Sequence, residues 1–203
     1  HYPLRRQRQM CIRDRYKREF QIDPAWKKKR ILLHFEAVDW KTDVWVNGVK
    51  VGNHSGGYTP FTFDITSALV KGDNRLTVRV SDPTDQGIQP RGKQVRRPEG
   101  IWYTSVSGIW QTVWLEPVPE HSISYLRVTP DIDRRILSVE VSTESKGVVQ
   151  VEVSAGGKTV SSSRSLCGQR IEVPMPADML LWSPENPFLY DLSISCLLYT
   201  SDA

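Results

Sequence analysis

Residues 31–66 read ILLHFEAVDWKTDVWVNGVKVGNHSGGYTPFTFDIT and consist of short apolar segments separated by turn residues. Segments 31–35 and 43–46 have a period of two, which is typical of β-strands with one buried face. Asn47-Gly48 separates the second segment from Lys50-Val51. Because both turn residues tolerate positive φ, this pair is a strong signal for a β-hairpin. The stretch therefore predicts antiparallel strands joined by a tight turn.

The same period continues towards the C-terminus. In residues 75–80 the side chains of Leu76, Val78 and Val80 fall on one face, and Gly72-Asp73-Asn74 supplies the preceding turn. A helical pattern is confined to about one turn at residues 65–69. We therefore expect an all-β chain.

Residues 91–117, RGKQVRRPEGIWYTSVSGIWQTVWLEP, join a loop rich in Gly, Pro and Arg to a predicted strand at 109–115. The first part of this loop belongs to a long irregular stretch that runs from residue 82 to 100. Loops of this length are uncommon in compact domains unless they are functional or disordered. A polar loop carried to the rim of a sheet by an aromatic strand is a common binding edge in β-sandwich proteins.

A second pattern of short strands begins after Pro117-Val118-Pro119. Its alternating apolar residues are Leu126/Val128, Leu137/Val139/Val141, Val149/Val151/Val153 and Leu192/Ile194, with a turn at Gly156-Gly157. We predict a jelly-roll-like sandwich over 16–118 and an immunoglobulin-like sandwich over 119–195. The second is shorter than the roughly 100 residues typical of that fold. We expect the first to be truncated at its N-terminus and the second at its C-terminus.

The two ends of the chain share an unusual relationship. One set of codons for MCIRDR, residues 10–15, gives a reverse complement that encodes CLLYTS, residues 196–201. Such inverted DNA resembles a sequencing-library adapter translated at both ends of an insert. We therefore predict that 1–15 and 196–203 are adapter-derived and exclude them from fold reasoning.

The exclusion changes the charge balance. Of 27 basic and 23 acidic residues, residues 1–15 hold five Arg and one Asp, and residues 196–203 hold one Asp. The remainder carries 22 basic and 21 acidic residues, so neither nucleic acid nor a membrane is expected as a partner. His34, His54 and His121 show no metal-ligand spacing with one another or with Cys167, the one cysteine outside the excluded ends. We expect no metal site, no cofactor and no disulfide framework.

Four motifs resemble those of glycoside hydrolase family 2, the β-galactosidase and β-glucuronidase family. YKREF at 16–20 resembles the family's W-Y-R-R-x-F strand, and residues 31–66 contain V-W-V-N-G and G-G-Y-x-P-F. Gly108-Ile109-Trp110 is similar to the family's G-I-(W/F/H) strand start. LWSPENPFLYDL at 181–192 resembles W-S-P-x-x-P-x-L-Y of its immunoglobulin-like domain.

The resemblance implies a jelly-roll sugar-binding domain and an immunoglobulin-like domain, followed in the family by a catalytic TIM barrel. The barrel supplies two glutamates about 5–5.5 Å apart for a retaining double displacement. The family's Asn-Glu pair occurs here only reversed, as Glu185-Asn186 in a turn. We therefore assign no catalytic residue and predict a non-catalytic fragment of an exo-glycosidase acting on a β-linked sugar or an α-arabinoside.

The resemblance also implies that loops of the first domain help to shape the sugar pocket. The family's acidic sugar contact before the G-I strand falls on or near Trp102 in this chain, and Glu99 is the closest carboxylate. The substrate-binding candidates are Asp39, Trp40, Arg91, Lys93, Gln94, Trp102 and Tyr103.

Each of these candidates has a competing structural interpretation. Trp102 and Tyr103 either bind the sugar or pack in the protein interior. The Arg91 segment is either a sugar-binding edge or a solvated loop. Asp39 either contacts the sugar or is a turn carboxylate. Three other tryptophans, Trp45, Trp110 and Trp114, are predicted to pack in the core, and Arg96-Arg97 to be solvated.

Two other functions remain open from the sequence. A free-standing carbohydrate-binding module would use the same Trp102/Tyr103 loop without a barrel. A structural or adhesion protein of tandem sandwiches would leave that loop unexplained. The coding sequence beyond residue 195 distinguishes them, because only a glycosidase needs the barrel as the partner of this segment.

Overall fold

A computed structural model describes residues 13–143 and 146–198. The chain divides into two compact units, one ending at Glu120 and the other beginning at His121. Both are built from β-strands. Among the described residues, no helix is long and apolar enough to cross a membrane.

The first unit is an antiparallel sandwich with short additional ladders at its edge. Its strands are β1 (Arg13–Phe20), β2 (Arg30–Phe35), β3 (Val38–Asp39), β4 (Lys41–Val46), β5 (Val49–Ser55), β6 (Phe61–Asp64), β7 (Asn74–Ser81), β8 (Gln94–Val95), β9 (Tyr103–Thr104), β10 (Gly108–Ile109) and β11 (Val113–Val118). Single 3-10 turns lie at Pro24–Trp26 and Thr66–Ala68.

Two sheets enclose the core of this unit. One has the order β1-β7-β4-β5 and the other β11-β2-β6, with β3 paired to β10 and β8 paired in parallel to β9. Alternate residues of the central strands point inward, as the period of two predicts. The buried core residues are Ile31, Leu33, Phe35, Val38, Val44, Val46, Ile65, Ala68, Val78 and Val80.

The hairpin predicted at Asn47-Gly48 is present between β4 and β5. Asn47 and Gly48 have φ of 51° and 85°, the left-handed region in which these residue types are favoured. The Asn47 side chain donates to Ala68 O (2.9 Å) and to Asn74 Oδ1 (2.7 Å), and it accepts from Arg75 N (2.8 Å). These bonds tie the turn to the start of β7.

The second unit is a smaller sandwich of two antiparallel sheets. Its strands are β12 (Ile123–Asp131), β13 (Ile136–Thr143), β14 (Gly147–Ala155), β15 (Lys158–Leu166), β16 (Arg170–Pro174) and β17 (Asp191–Leu198). The sheet orders are β12-β13-β16 and β15-β14-β17. Valine and isoleucine form the core: Val139, Val141, Val149, Val151, Val153, Ile171 and Val173.

The prediction of core positions for three tryptophans was wrong. Trp110 and Trp114 are 48% and 41% exposed, and Trp45 is half-buried on the outer face, with the Arg79 guanidinium carbon 5.4 Å from its ring centroid. Alternation identified which residues share a face, but not whether another layer covers that face. Trp110 also lies outside a strand, because the predicted strand at 109–115 is divided between β10 and β11.

Two ladders extend into the segments predicted to be adapter-derived. β1 pairs Arg13 with Ser81 and Arg15 with Arg79, and β17 continues past Cys196 to Leu198. Ladder hydrogen bonds are made by the backbone and require little of the side chains. Residues 1–12 and 199–203 lie outside the described residues, and the origin of both segments stays a prediction.

Candidate functional site

Asp39 lies where three separate segments meet. It ends β3 and pairs with Gly108 of β10, and a cis peptide bond joins it to Trp40. Trp40 O accepts a hydrogen bond from Gly56 N at 3.3 Å. A Cβ atom on Gly57 would lie 2.7 Å from Asp39 Oδ1, so the backbone can approach the carboxylate this closely only at a glycine.

The Asp39 carboxyl has an unusual electrostatic environment. Burial and the nearby Asp82 carboxylate raise the pKa of Asp39 to about 6. Burial also raises the pKa of Asp82, although its Oδ1 accepts from Thr84 N at 2.7 Å. Near pH 6 the Asp39 carboxyl therefore changes readily between a form that only accepts hydrogen bonds and a form that also donates one.

The loop that follows β7 is fixed by its own side chains. Asp85 accepts from Arg96 Nε at 2.7 Å and from Arg96 N at 3.3 Å. Gln89 donates from Nε2 to Thr84 O at 2.9 Å. The prediction that Arg96 is a solvated charge was therefore wrong, because its partner Asp85 lies eleven residues earlier and only the folded loop brings the two together.

The second half of the loop is held by the parallel pairing of β8 and β9. Gln94 pairs with Tyr103, and Tyr103 N donates to Lys93 O at 2.8 Å. The Gln94 side chain accepts from Val106 N at 2.5 Å. Gln94 therefore has a structural role, because its Oε1 accepts the backbone N–H of Val106.

The aromatic residues of this loop are presented outward. Trp102 is 42% exposed and Tyr103 is 64% exposed. The guanidinium carbon of Arg91 lies 6.0 Å from the centroid of the Trp102 ring, at the outer limit of a cation–π contact, and Arg91 Nη1 donates to Asp85 O. Lys93 is exposed beside them. An indole with an open face and adjacent cationic side chains can stack on a flat ring and donate hydrogen bonds.

The seven predicted binding residues thus form two groups. Arg91, Lys93, Gln94, Trp102 and Tyr103 lie together on the loop. Asp39 and Trp40 lie at its base, because Asp82 begins the loop and Gly108 follows its end. We call these seven residues with Asp82 and Gly57 the Asp39 edge.

Two members of the Asp39 edge were not predicted from the sequence. Asp82 immediately follows the last residue of β7, a position where a polar residue reaches the sheet rim. Gly57 belongs to the Gly56-Gly57 pair in the G-G-Y-x-P-F motif. The sequence shows both features, but only the folded structure shows that Asp82 and Gly57 lie near Asp39. Among the residues that the structure describes, no group of three or more His, Cys, Asp and Glu side chains could hold a metal ion.

The two units, a jelly-roll-like sandwich and an immunoglobulin-like sandwich, define a two-domain all-β protein. Residues 6–119 match the model of the sugar-binding domain of glycosyl hydrolases family 2, and residues 118–199 match a second model of glycosyl hydrolases family 2. The chain belongs to glycosyl hydrolase family 2.

Several proteins of known sequence or structure are similar to this chain. A β-galactosidase of Thermoanaerobacter pseudethanolicus is 30% identical over 199 residues, which cover 90% of this chain and 26% of that protein. A β-glucuronidase of an uncultured Clostridium species is 26% identical with a TM-score of 0.75, covering 90% of this chain and 32% of that one. The β-glucuronidase of Ruminococcus gnavus, solved with D-glucuronic acid, shares the fold (24% identity, TM-score 0.75, 93% of this chain and 34% of that one). The chain therefore spans about a quarter to a third of these relatives.

Proposed function

We propose that this chain is the sugar-binding and immunoglobulin-like part of a retaining exo-glycosidase, and that the Asp39 edge forms one wall of its sugar pocket. The observation that carries the proposal is the half-buried Asp39 carboxyl, placed at the base of a loop that presents Trp102 and Tyr103 to solvent. In this arrangement the fold supplies recognition, and the two catalytic glutamates belong to a barrel domain of the whole protein.

The chemistry of the Asp39 edge suits a sugar. A pyranose ring has an apolar face that stacks on an indole, and it has hydroxyl groups that donate to a carboxylate. Asp39 can accept such a bond when ionised, and Trp102 offers an exposed indole face. Asp85 and Arg96 hold the loop in place, so little order has to be gained when the sugar binds.

The two alternative functions are not favoured. Both family models are parts of one hydrolase family and match consecutive segments of this chain. A free-standing binding module or a tandem adhesion protein would not require this order of domains.

The coding sequence on either side of this segment tests the proposal. We expect the downstream sequence to alternate β-strands and α-helices and to contain an Asn-Glu pair. The whole protein should hydrolyse an aryl β-galactoside or an aryl β-glucuronide, and NMR of the first-formed sugar should show retention of the anomeric configuration. A downstream stop codon in the native gene, or a further β-sandwich in place of a barrel, would refute the proposal.

A further inference from the structure

A hollow lies on the first unit, beside the outer face of the β11-β2-β6 sheet. It has a volume of about 410 Å³, and its lining includes Tyr58, Trp110, Trp114, Gln111, Glu36 and Thr62. We call it the Trp110–Trp114 hollow. Its volume is within the range of small-molecule sites and accommodates one or two sugar rings.

Trp114 forms one side of this hollow, and His34 packs against its ring. It pairs with His34 across the β11-β2 ladder, and the two rings are stacked, with centroids 4.1 Å apart and an interplanar angle of 16°. His34 Nδ1 lies 2.8 Å from Thr62 Oγ1 in hydrogen-bonding geometry. One face of the Trp114 indole is therefore fixed on the sheet, and its 41% exposure leaves aromatic surface open to solvent.

Trp110 is held by different contacts. Its Nε1 donates to Gly57 O at 2.7 Å, and its ring meets Tyr58 edge to face with centroids 5.8 Å apart. It remains 48% exposed. Both indoles are therefore oriented by the folded protein before any ligand arrives. Such pre-organisation lowers the entropy cost of binding.

The charges around the hollow restrict the ligand. Glu36 lines it, and Glu116 lies on the same sheet face with Oε2 3.0 Å from His34 Nε2, although not in hydrogen-bonding geometry. Among the described residues, neither lysine nor arginine lines it. An anionic ligand would be repelled, whereas hydroxyl groups could bond to Glu36, Gln111 and Thr62.

We propose that the Trp110–Trp114 hollow, which borders the Asp39 edge through the Trp110–Gly57 hydrogen bond, is a second carbohydrate-binding site, selective for neutral pyranose units of an oligosaccharide. Two exposed indoles stack on the apolar faces of sugar rings, and the adjacent carboxylate and amide bind their hydroxyl groups. The site binds without cleaving, so it does not depend on the glycosidase activity proposed above. In an enzyme it would hold a longer substrate near the protein and raise its effective concentration.

Saturation-transfer NMR on the 203-residue chain tests this site. The neutral probe is cellotetraose and the anionic probe is methyl β-D-glucuronide. We expect cellotetraose to bind and the glucuronide to bind more weakly. Trp114→Ala should raise the Kd for cellotetraose roughly three- to tenfold, because one stacking surface is lost.

Matched variants separate this site from the rest of the molecule. Trp182→Ala removes an exposed tryptophan of the second unit and should leave cellotetraose binding unchanged. Glu36→Gln should reduce the preference for the neutral probe. Circular dichroism checks that each variant is folded, and Gln111→Ala replaces Trp114→Ala if the latter is not.

Three results would overturn the proposal. The first is that the folded chain shows no saturation transfer to cellotetraose. The second is a Trp114→Ala variant that binds as well as the parent. The third is a Trp102→Ala variant that loses as much binding as Trp114→Ala, since binding would then belong to the Asp39 edge. None of these results bears on hydrolysis by the whole protein, so the glycosidase proposal is tested separately.

Discussion

Asp39 is the residue whose chemistry depends most on its surroundings. Gly57 lies against its carboxylate, Gly108 pairs with its backbone, and Asp82 adds a second negative charge nearby. Each neighbour comes from a different part of the chain. The folded protein therefore holds a carboxyl group that is about half ionised near pH 6, well above the ordinary range of an aspartate.

Stability should depend on pH through this carboxyl. The pKa of Asp39 rises from 3.8 to about 6 on folding, so between these values the folded state binds more protons than the unfolded state. The free energy of unfolding therefore falls as pH rises through this window, and the loss is complete above about pH 6. Asp39→Asn cannot ionise, and we expect it to melt at a higher temperature than the parent at pH 7.5.

Thermal melting between pH 4 and pH 8 measures this effect. The difference between Asp39→Asn and the parent should shrink as the pH falls towards 4, because the parent carboxyl is then protonated as well. Glu99→Gln, at an exposed loop carboxylate, is the matched control. A melting difference of the same size at every pH would contradict the assigned environment.

The sequence predicted which residues are candidates for the site better than it predicted their surroundings in the folded protein. Asp39 is a candidate from its position at a strand end and Trp102 from the family resemblance, but the Asp39–Asp82 proximity arises only when β3 and the end of β7 come together. The exposed faces of Trp110 and Trp114 could not be inferred either, because alternation does not show where a sheet lacks a covering layer.

The hairpin between β4 and β5 shows how one element is held by another. Asn74 is buried, and its side chain bonds to Val70 N, Val70 O and Gly72 O at 2.9–3.1 Å. It also accepts from the Asn47 side chain at the hairpin turn. The two asparagines thus connect the turn, the loop at 70–72 and the start of β7.

Asn74→Ala should destabilise the first unit by about 2–3 kcal/mol. The change leaves buried backbone groups without partners, and each such group costs about 1–3 kcal/mol, partly recovered by water. Chemical denaturation followed by circular dichroism measures the loss. Asn53→Ala, at an exposed position on β5, should change stability by less than about 0.5 kcal/mol. Equal effects of the two substitutions would show that the asparagine network contributes little.

Elements set by local chemistry were predicted well. The Asn-Gly hairpin and the Gly156-Gly157 turn were confirmed, because left-handed φ at both positions is a local requirement. The predicted strand at 109–115 was not continuous. Trp110 N and Gln111 N both donate to Ala37 O at 3.4 Å, where pairing changes from β3 to β2. That change of partner is a tertiary event with no local signal.

The first unit as a whole has an open apolar cleft between its two sheets. The cleft has a volume of about 560 Å³ and is lined mostly by apolar side chains of β1, β2, β7 and β11, among them Phe20, Leu33, Leu76 and Leu115. Apolar surface of this kind favours association or dye binding. The cleft is wider than a well-packed sandwich interior normally leaves.

We expect the purified chain to bind a hydrophobic dye such as anilinonaphthalene sulfonate in native buffer and to self-associate. The cleft leaves apolar side chains open to water, and β1 is the edge strand of its sheet. Dye fluorescence and light scattering measure these two effects. A monodisperse monomer with a sharp melt and no dye fluorescence would contradict this expectation.

The central claim is that the Asp39 edge forms a wall of a glycosidase pocket, and Trp102→Ala in the whole enzyme tests it most directly. Because Trp102 is exposed, the variant should keep the melting temperature of the parent. Loss of stacking worth about 0.5–1.5 kcal/mol should lower kcat/KM roughly three- to tenfold. A core tryptophan would behave in the opposite way, costing about 3–5 kcal/mol of stability. A large fall in melting temperature, with kcat/KM per folded molecule intact, would contradict the account.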